Sequence, residues 1–399
     1  MDTIETRTIL LTGGTGFLGA ALIDRLLDRG VETIHALVRA DDDAHARGRG
    51  AHITRDPRVR WVRGDAERPR LGLSAATWQS FAHTVDEIFH CAASTRFDLP
   101  LERSHRANVS ATEHVLELAR VAHANGQLVR LHHVSTAYAA GRTSGRIDAH
   151  VLPGDDARAF RNPYEQTKAR AERMLRSQDD VPVTIYRPSI IAGDTRSGAT
   201  TNWNVLYGPM RMIANGKLPA LPTARTGIVD TVGIDVAADA VAHLASLPVT
   251  GHTAYLIAAG DRSFTVEQFV RACIDRTCAR FGDSATRCTV IGPRRWRALA
   301  VAAHVAGRAP RRAQAVRRWG LLAERGLRAF EPYEPYTAVE GTFDNRREQR
   351  ILAAVGITMP PPDRYLATIV DYALAHDFGR SQPRVTDTTT ELSRQDSLH

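Results

Sequence analysis

Ile9-Leu10-Leu11-Thr12-Gly13-Gly14-Thr15-Gly16-Phe17-Leu18-Gly19 decides how this chain is read. The apolar run Ile9 to Leu11 has the length of a short buried strand. It breaks into glycines at 13, 14, 16 and 19. Ala20 to Asp28 then carries Leu22, Ile23, Leu26 and Leu27 at helical spacing. Strand, glycine turn and helix in that order make a phosphate-binding unit. Gly13 permits the tight turn, Gly16 admits a diphosphate to the backbone, and Gly19 lets the helix lie close to the strand. The helix N-terminus offers free N–H groups and a positive dipole end. Thr15, Phe17 and Leu18 join these glycines as expected cofactor contacts.

The second strand, Thr33 to Val38, ends at Arg39. A carboxylate at this position would bond the adenosine ribose, whereas an arginine pairs with a 2′-phosphate. Arg39 therefore favours NADP, with Arg47 and Arg49 in support. Asp41, Asp42 and Asp43 offer carboxylates that could reach the ribose instead, and Arg39 is equally a strand-end surface residue. Residues 40–57 read as a mobile loop or a poorly formed helix. Val59 to Val62 is a third strand ending in Gly64-Asp65, where Asp65 either contacts the adenine or closes a turn. Glu87 to Cys91 is a fourth, opening into small residues such as Ala92 that leave room for a cofactor across the strand ends.

A helix over Ala107 to Ala124, a strand over Leu128 to Val134 and another over Val181 to Tyr186 continue the alternation. The expected fold is α/β: a doubly wound, mostly parallel Rossmann-type sheet with a smaller, mainly helical C-terminal substrate lobe. Residues 1–193 and 229–258 are assigned to the dinucleotide-binding domain. Residues 194–228 and 259–379 are assigned to the substrate lobe, and 380–399 to a disordered tail. Within the lobe, Trp296 to Leu322 is an arginine-rich stretch. It is expected to pack as ordinary helix, though its basic and apolar mixture also suits a membrane surface.

The 399 residues carry a formal charge of +8, almost all of the cationic side chains being arginine. The arginines are dispersed and no nucleic-acid module is visible, so nucleic acid is not an expected partner. Cys91, Cys273, Cys278 and Cys288 lack metal-ligand spacing, so no metal site is expected. The N-terminus lacks an apolar signal region and no run reaches membrane-spanning length, which reads as a cytoplasmic protein.

Asn162-Pro163-Tyr164-Glu165-Gln166-Thr167-Lys168 carries the chemistry. Asn162 can cap a helix and Pro163 suits its first turn. Tyr164 and Lys168 then share a helical face. A free phenol titrates near pKa 10, so acid–base work near neutrality needs a shift of about three units. A neighbouring ammonium and the positive nicotinamide ring are its natural sources. Thr136, just beyond the fifth strand, either caps a turn or presents its hydroxyl to a carbonyl above the nicotinamide; beside Tyr164 and Lys168 the second reading is preferred.

Thr12 to Gly19, Thr136 and Tyr164-x-x-x-Lys168 together resemble an extended short-chain dehydrogenase/reductase. His90-Cys-Ala-Ala93, His133-Val-Ser-Thr-Ala-Tyr138, Tyr164-Glu-Gln-Thr-Lys168 and Arg187-Pro-Ser-Ile-Ile191 resemble, more narrowly, its fatty acyl-CoA reductase and thioester reductase branch. Gly208-Pro209, Asn215-Gly-Lys217 and Val229-Asp-Thr-Val232 fit as well. Phe330-Glu-Pro-Tyr333 and Phe343-Asp-Asn345 are similar to that branch more loosely. The match is good over residues 8–260 and weak over 260–375. The resemblance implies an acyl thioester on coenzyme A or a carrier protein, reduced by NADPH to an aldehyde, with an alcohol if a second hydride follows. By it, Tyr164 donates a proton and Thr136 adds a hydrogen bond to the carbonyl oxygen. Lys168 holds the nicotinamide ribose and depresses the tyrosine pKa, and Pro188 and Ile190 adjoin the cofactor. These 399 residues hold no adenylation or carrier domain, so the activated acyl group is expected from elsewhere.

Two other readings stay open at this level. Sugar-nucleotide epimerases or dehydratases and hydroxysteroid-type dehydrogenases share the glycine turn and the three polar residues, although Arg39 and the long C-terminal lobe argue against many of them. A non-enzymatic dinucleotide sensor keeps the glycine turn but can lose the tyrosine and lysine, and both are present here.

Overall fold

Alternate residues of β1 (Thr8–Thr12) face opposite sides: Ile9 and Leu11 enter one apolar core and Leu10 the other, all fully buried. The same division runs through the neighbouring strands, because a strand covered on both faces needs apolar residues in both registers. The structure is a computed structural model. It describes residues 7–380 except 204, 219, 224–226, 249–250, 283–287, 311 and 337–340. Of the expected disordered tail, 380–399, residues 381–399 lie outside the described residues.

Seven parallel strands form the central sheet: β1, β2 (Thr33–Val38), β3 (Val59–Arg63), β4 (Glu87–His90), β5 (Arg130–Val134), β6 (Val183–Pro188) and β7 (Thr253–Ile257). Their order is β7-β6-β5-β4-β1-β2-β3. The chain winds outward in both directions from β1 and β4, which leaves a crevice at their C-terminal ends, where doubly wound folds bind ligands. Helix α1 (Phe17–Asp28) packs on one face against a later helix, Ile234–Ala245, and Arg25 donates to Asp239 across that contact at 2.7 Å. Helices Ala75–Thr84 and Ala111–Ala124 cover the other face.

The structure refines several elements of the sequence reading. Of the two readings of residues 40–57, a mobile loop or a poorly formed helix, residues 43–51 take the helix, and Asp42 caps it by accepting from His45 N at 2.7 Å. Its apolar periodicity is poor because Gly50 lies against the Trp61 ring, a contact made with no apolar side chain. The helix expected over Ala107 to Ala124 is α-helical over Ala111–Ala124 and starts earlier than expected, with Leu101–His105 and a π-turn over Arg106–Ser110. Trp296 to Leu322 is two helices, Pro293–Gly307 and Gln314–Phe330, which pack on one another where Gly320 meets Gly307.

Short pairings tie the later chain to the sheet region. Ile228–Val229 pairs antiparallel with Phe264–Thr265, and Ala220–Pro222 pairs parallel with Thr289–Ile291. Gly145–Ile147 pairs with Gly341–Phe343, so a segment from the first 193 residues is bonded to one from far down the chain.

Candidate active site

The crevice begins at the glycine turn. Gly13 has φ +76°, and a Cβ there would lie 2.6 Å from Ala92 N at the end of β4. A Cβ on Gly19 would run into Gly13 O. Any larger side chain would push the turn out of the crevice. Gly16 opens α1 without a side-chain cap, so the first helical N–H groups have no side chain over them. A backbone cradle next to an uncapped helix N-terminus fits the diphosphate of a dinucleotide.

Asn162 caps helix α2 (Pro163–Arg176), accepting from Glu165 N at 3.0 Å, with Pro163 in the first turn. This sets Tyr164, Lys168 and Glu172 one turn apart on one face. Tyr164 is hydrogen-bonded to the Thr136 hydroxyl, which also contacts Pro188 O at 3.4 Å and Tyr138 N at 3.3 Å. Lys168 Nζ, buried, donates to Val134 O at 2.7 Å and lies 3.4 Å from His133 Nε2. The cleft that gathers Thr136, Tyr164 and Lys168 is also lined by Gly13, Gly16, Phe17, Leu18, Gly19, Pro188 and Ile190, and measures about 270 Å³.

Thr15, Arg39, Asp65 and Ala92 do not line that cleft. Arg39 stands largely exposed beyond β2, with Glu67 at 3.5 Å. Asp65 closes a turn, accepting from Glu67 N at 3.0 Å, and Asp42 is occupied as a helix cap. Ala92 forms the floor beneath Gly13.

The electrostatics correct one expectation. Burial pushes the Tyr164 phenol up to about 12; its hydrogen bond to Thr136 opposes that shift and the neighbouring Glu165 adds to it. The Lys168 ammonium donates to Val134 O, and burial outweighs whatever would lower the phenol. Burial instead brings Lys168 down to about 8, with Glu172 opposing. Tyr164 is therefore a neutral hydroxyl donor near neutral pH, and Lys168 a cation that titrates within reach of physiological pH.

The sequence reading gave no role to an aromatic cluster over this group. Phe97 lies 5.8 Å from Tyr164 and stacks on Tyr336 at 5.0 Å, and Tyr138 meets Tyr336 edge-on at 5.2 Å. Tyr336 OH accepts from Asn162 Nδ2 at 2.7 Å, which ties the lid of the cleft to the cap of α2. Beyond Ile190, Val205 and Tyr336 the cleft adjoins a small apolar cavity bounded by Phe269, Phe330 and Tyr333. Phe97 is an isolated aromatic in a turn, and Tyr336 ends a short 3-10 turn after Phe330 and Tyr333, too far down the chain for its place at the cleft to be read from local spacing. Among the described residues no group of three or more His, Cys, Asp or Glu could hold a metal.

Comparison with known proteins yields one family and many relatives. The family described as Male sterility protein matches residues 11–241. The chain is 32% identical over 261 residues to a linear gramicidin synthase polypeptide of Brevibacillus parabrevis, covering 61% of this chain and 5% of that protein. It is 30% identical over 248 residues to fatty acyl-CoA reductase wat of Drosophila melanogaster, covering 52% of this chain and 47% of that one. The chain thus spans less than half the length of these relatives. The crystal structure of the terminal R domain from the myxalamid PKS-NRPS biosynthetic pathway superposes with a TM-score of 0.74 at 24% identity, covering 94% of this chain and 92% of that one. At that identity the likeness is one of fold.

Proposed function

Since the chain belongs to the male sterility protein family of NAD-binding, extended short-chain dehydrogenase/reductases, we propose that it reduces an acyl thioester to an aldehyde with NADPH. The carrying observation is the convergence of Thr136, Tyr164 and Lys168 in one cleft with the glycine cradle. The apolar cavity beside that cleft supports an acyl substituent over a sugar nucleotide, since its walls offer almost nothing to hydroxyls or phosphates. The names of the relatives, a gramicidin synthase and a fatty acyl-CoA reductase, support a thioester on a carrier protein or on coenzyme A.

NADPH would be held by the Gly13–Gly19 turn and the start of α1, with Arg39 on its 2′-phosphate, and would supply a hydride to the thioester carbonyl carbon. Tyr164 donates its hydroxyl proton to the oxygen that gains charge, and Thr136 adds a second hydrogen bond there. Lys168 holds the ribose and places a positive charge beneath the site. The C–S bond then breaks and releases thiol and aldehyde. Phe97, Tyr138 and Tyr336 cover the reacting group and limit water at the carbonyl.

A panel of acyl-CoA, acyl-carrier, sterol and sugar-nucleotide compounds, followed by cofactor absorbance, tests the reading. Turnover of thioesters alone is the expected result, and turnover of sugar nucleotides alone would reject it. Arg39→Ala is expected to weaken NADPH about tenfold and leave NADH unchanged, since it removes a half-solvated charge-assisted pair. Titration of both cofactors checks this; an equal loss for both would place the 2′-phosphate elsewhere. Lys168 is charged below about pH 8 and neutral above it. The free-enzyme kcat/KM should therefore fall as pH rises through that value, by about tenfold per unit. A profile flat to the alkaline limit of stability would remove the ammonium from the mechanism.

A further inference from the structure

We propose that the paired helices Pro293–Gly307 and Gln314–Phe330, labelled α3 and α4 here, form an anchor that seats the protein on an anionic phospholipid surface. This stretch holds ten arginines against one carboxylate, Glu324. Glu324 is taken up by Arg328 at 2.7 Å and by His304 at 3.4 Å, so the pair of helices keeps a large net positive charge.

The same helices carry six of the eleven large apolar side chains that stand exposed among the described residues: Val301, Val305, Val316, Trp319, Leu321 and Leu322. Val301 and Val305 are one turn apart on α3. Val316, Trp319 and Leu322 repeat at three-residue spacing on α4 and so fall on one face. Val301 and Val305 are each 63% exposed and Leu322 58%, far more than a packed lobe helix would leave. Gly320 lets the two backbones meet, since a Cβ there would run into Gly307 N, and this contact holds the helices together as one platform.

Apolar side chains with a tryptophan among them, interleaved with long cations, form the pattern of a helix lying in a bilayer interface. The arginines lie on both helices and in the turn between them. Cations spread this widely suit an extended sheet of lipid phosphates, which arginines can reach on their long apolar stems. The placement also serves the cleft. Phe330, the last residue of α4, is fully buried and borders the apolar cavity beside Ile190 and Tyr336. Seating the helices on a membrane sets that cavity next to the phase into which long acyl groups partition. This last point rests on the proposed function; the anchor itself does not.

Co-sedimentation of the full chain with vesicles of phosphatidylcholine alone, or of phosphatidylcholine mixed with phosphatidylglycerol, tests the proposal. Binding to the mixed vesicles only, released by added salt, is expected. Arg317→Glu with Arg318→Glu should weaken it by more than tenfold, at roughly fivefold or more per charge. Trp319→Ser with Leu322→Ser should weaken it by a similar factor at unchanged charge. Unaltered thermal melting and cofactor binding show that the variants are folded. Binding indifferent to lipid charge, no binding at all, or binding untouched by both double variants would each overturn the proposal. So would a soluble complex with an acidic carrier protein, or self-association, that both variants abolish while vesicles fail to bind.

Discussion

Tyr164→Phe is expected to lower kcat for thioester reduction by about 10²- to 10⁴-fold, the range spanned by a positioned general acid. The substitution keeps the ring, and with it the contact to Phe97, so the fold and the aromatic cover should survive. What disappears is one hydroxyl. Thr136 loses one hydrogen-bond partner and keeps its contacts with Pro188 O and Tyr138 N, so no stranded buried donor confuses the comparison. NADPH affinity should change little, because the glycine turn, Arg39 and Lys168 are untouched. The phenol lies near 12 and is neutral across the working range, which suits the donor role in the reductive direction. Single-turnover rates with saturating NADPH check the loss, and melting curves check the fold. A variant that kept more than about a tenth of the rate would show that the proton comes from elsewhere.

That prediction is within reach of the sequence because its residues lie four apart on one helix behind a cap and a proline. Local spacing is what a sequence displays directly. The glycine turn is legible for the same reason, as are the strand positions, whose apolar runs are buried on both faces. The electrostatics are not legible. From sequence, Lys168 is the neighbour that depresses the Tyr164 pKa. In the fold its ammonium is bound by Val134 O, and burial raises the phenol instead. The cover of the cleft comes from Phe97 against Tyr164 and from Tyr336 stacked on Phe97, and Tyr336 is bonded to Asn162 across 174 residues. The pairing of Gly145–Ile147 with Gly341–Phe343 is of the same kind. Three-residue strands so far apart carry too little pattern to be matched by inspection. The arginine-rich stretch reads as continuous because its strongest feature, charge, is insensitive to the break at Gly307 to Ala313.

Glu172→Leu is expected to destabilise the fold by about 3–5 kcal/mol, the cost of stranding one member of a buried ion pair. Glu172 and Arg187 are both wholly buried, with Nε to Oε1 at 2.9 Å and Nη2 to Oε1 at 2.8 Å. Ser135 donates to the same carboxylate at 2.9 Å, and Arg187 Nη1 donates to Val151 O at 2.7 Å. These bonds join α2 to the ends of β5 and β6, one residue from Thr136 and one from Pro188. Glu172 lies two turns beyond Tyr164 on the same face, so its clamp fixes how deeply the catalytic face of the helix sits. The reverse substitution, Arg187→Met, should cost less, because Glu172 keeps Arg176 and Ser135 as partners. Combining Glu172→Leu with Arg187→Met should recover most of the loss, since apolar replacements of a buried pair are often near neutral. Urea denaturation of the four proteins gives the coupling energy directly. Costs that simply add, with no recovery in the double variant, would mean that the pair is not a unit. The double variant should also show a larger deficit in kcat than in stability. Its apolar contact can hold the helix but offers Ser135 no carboxylate, and Thr136 follows Ser135 in the chain.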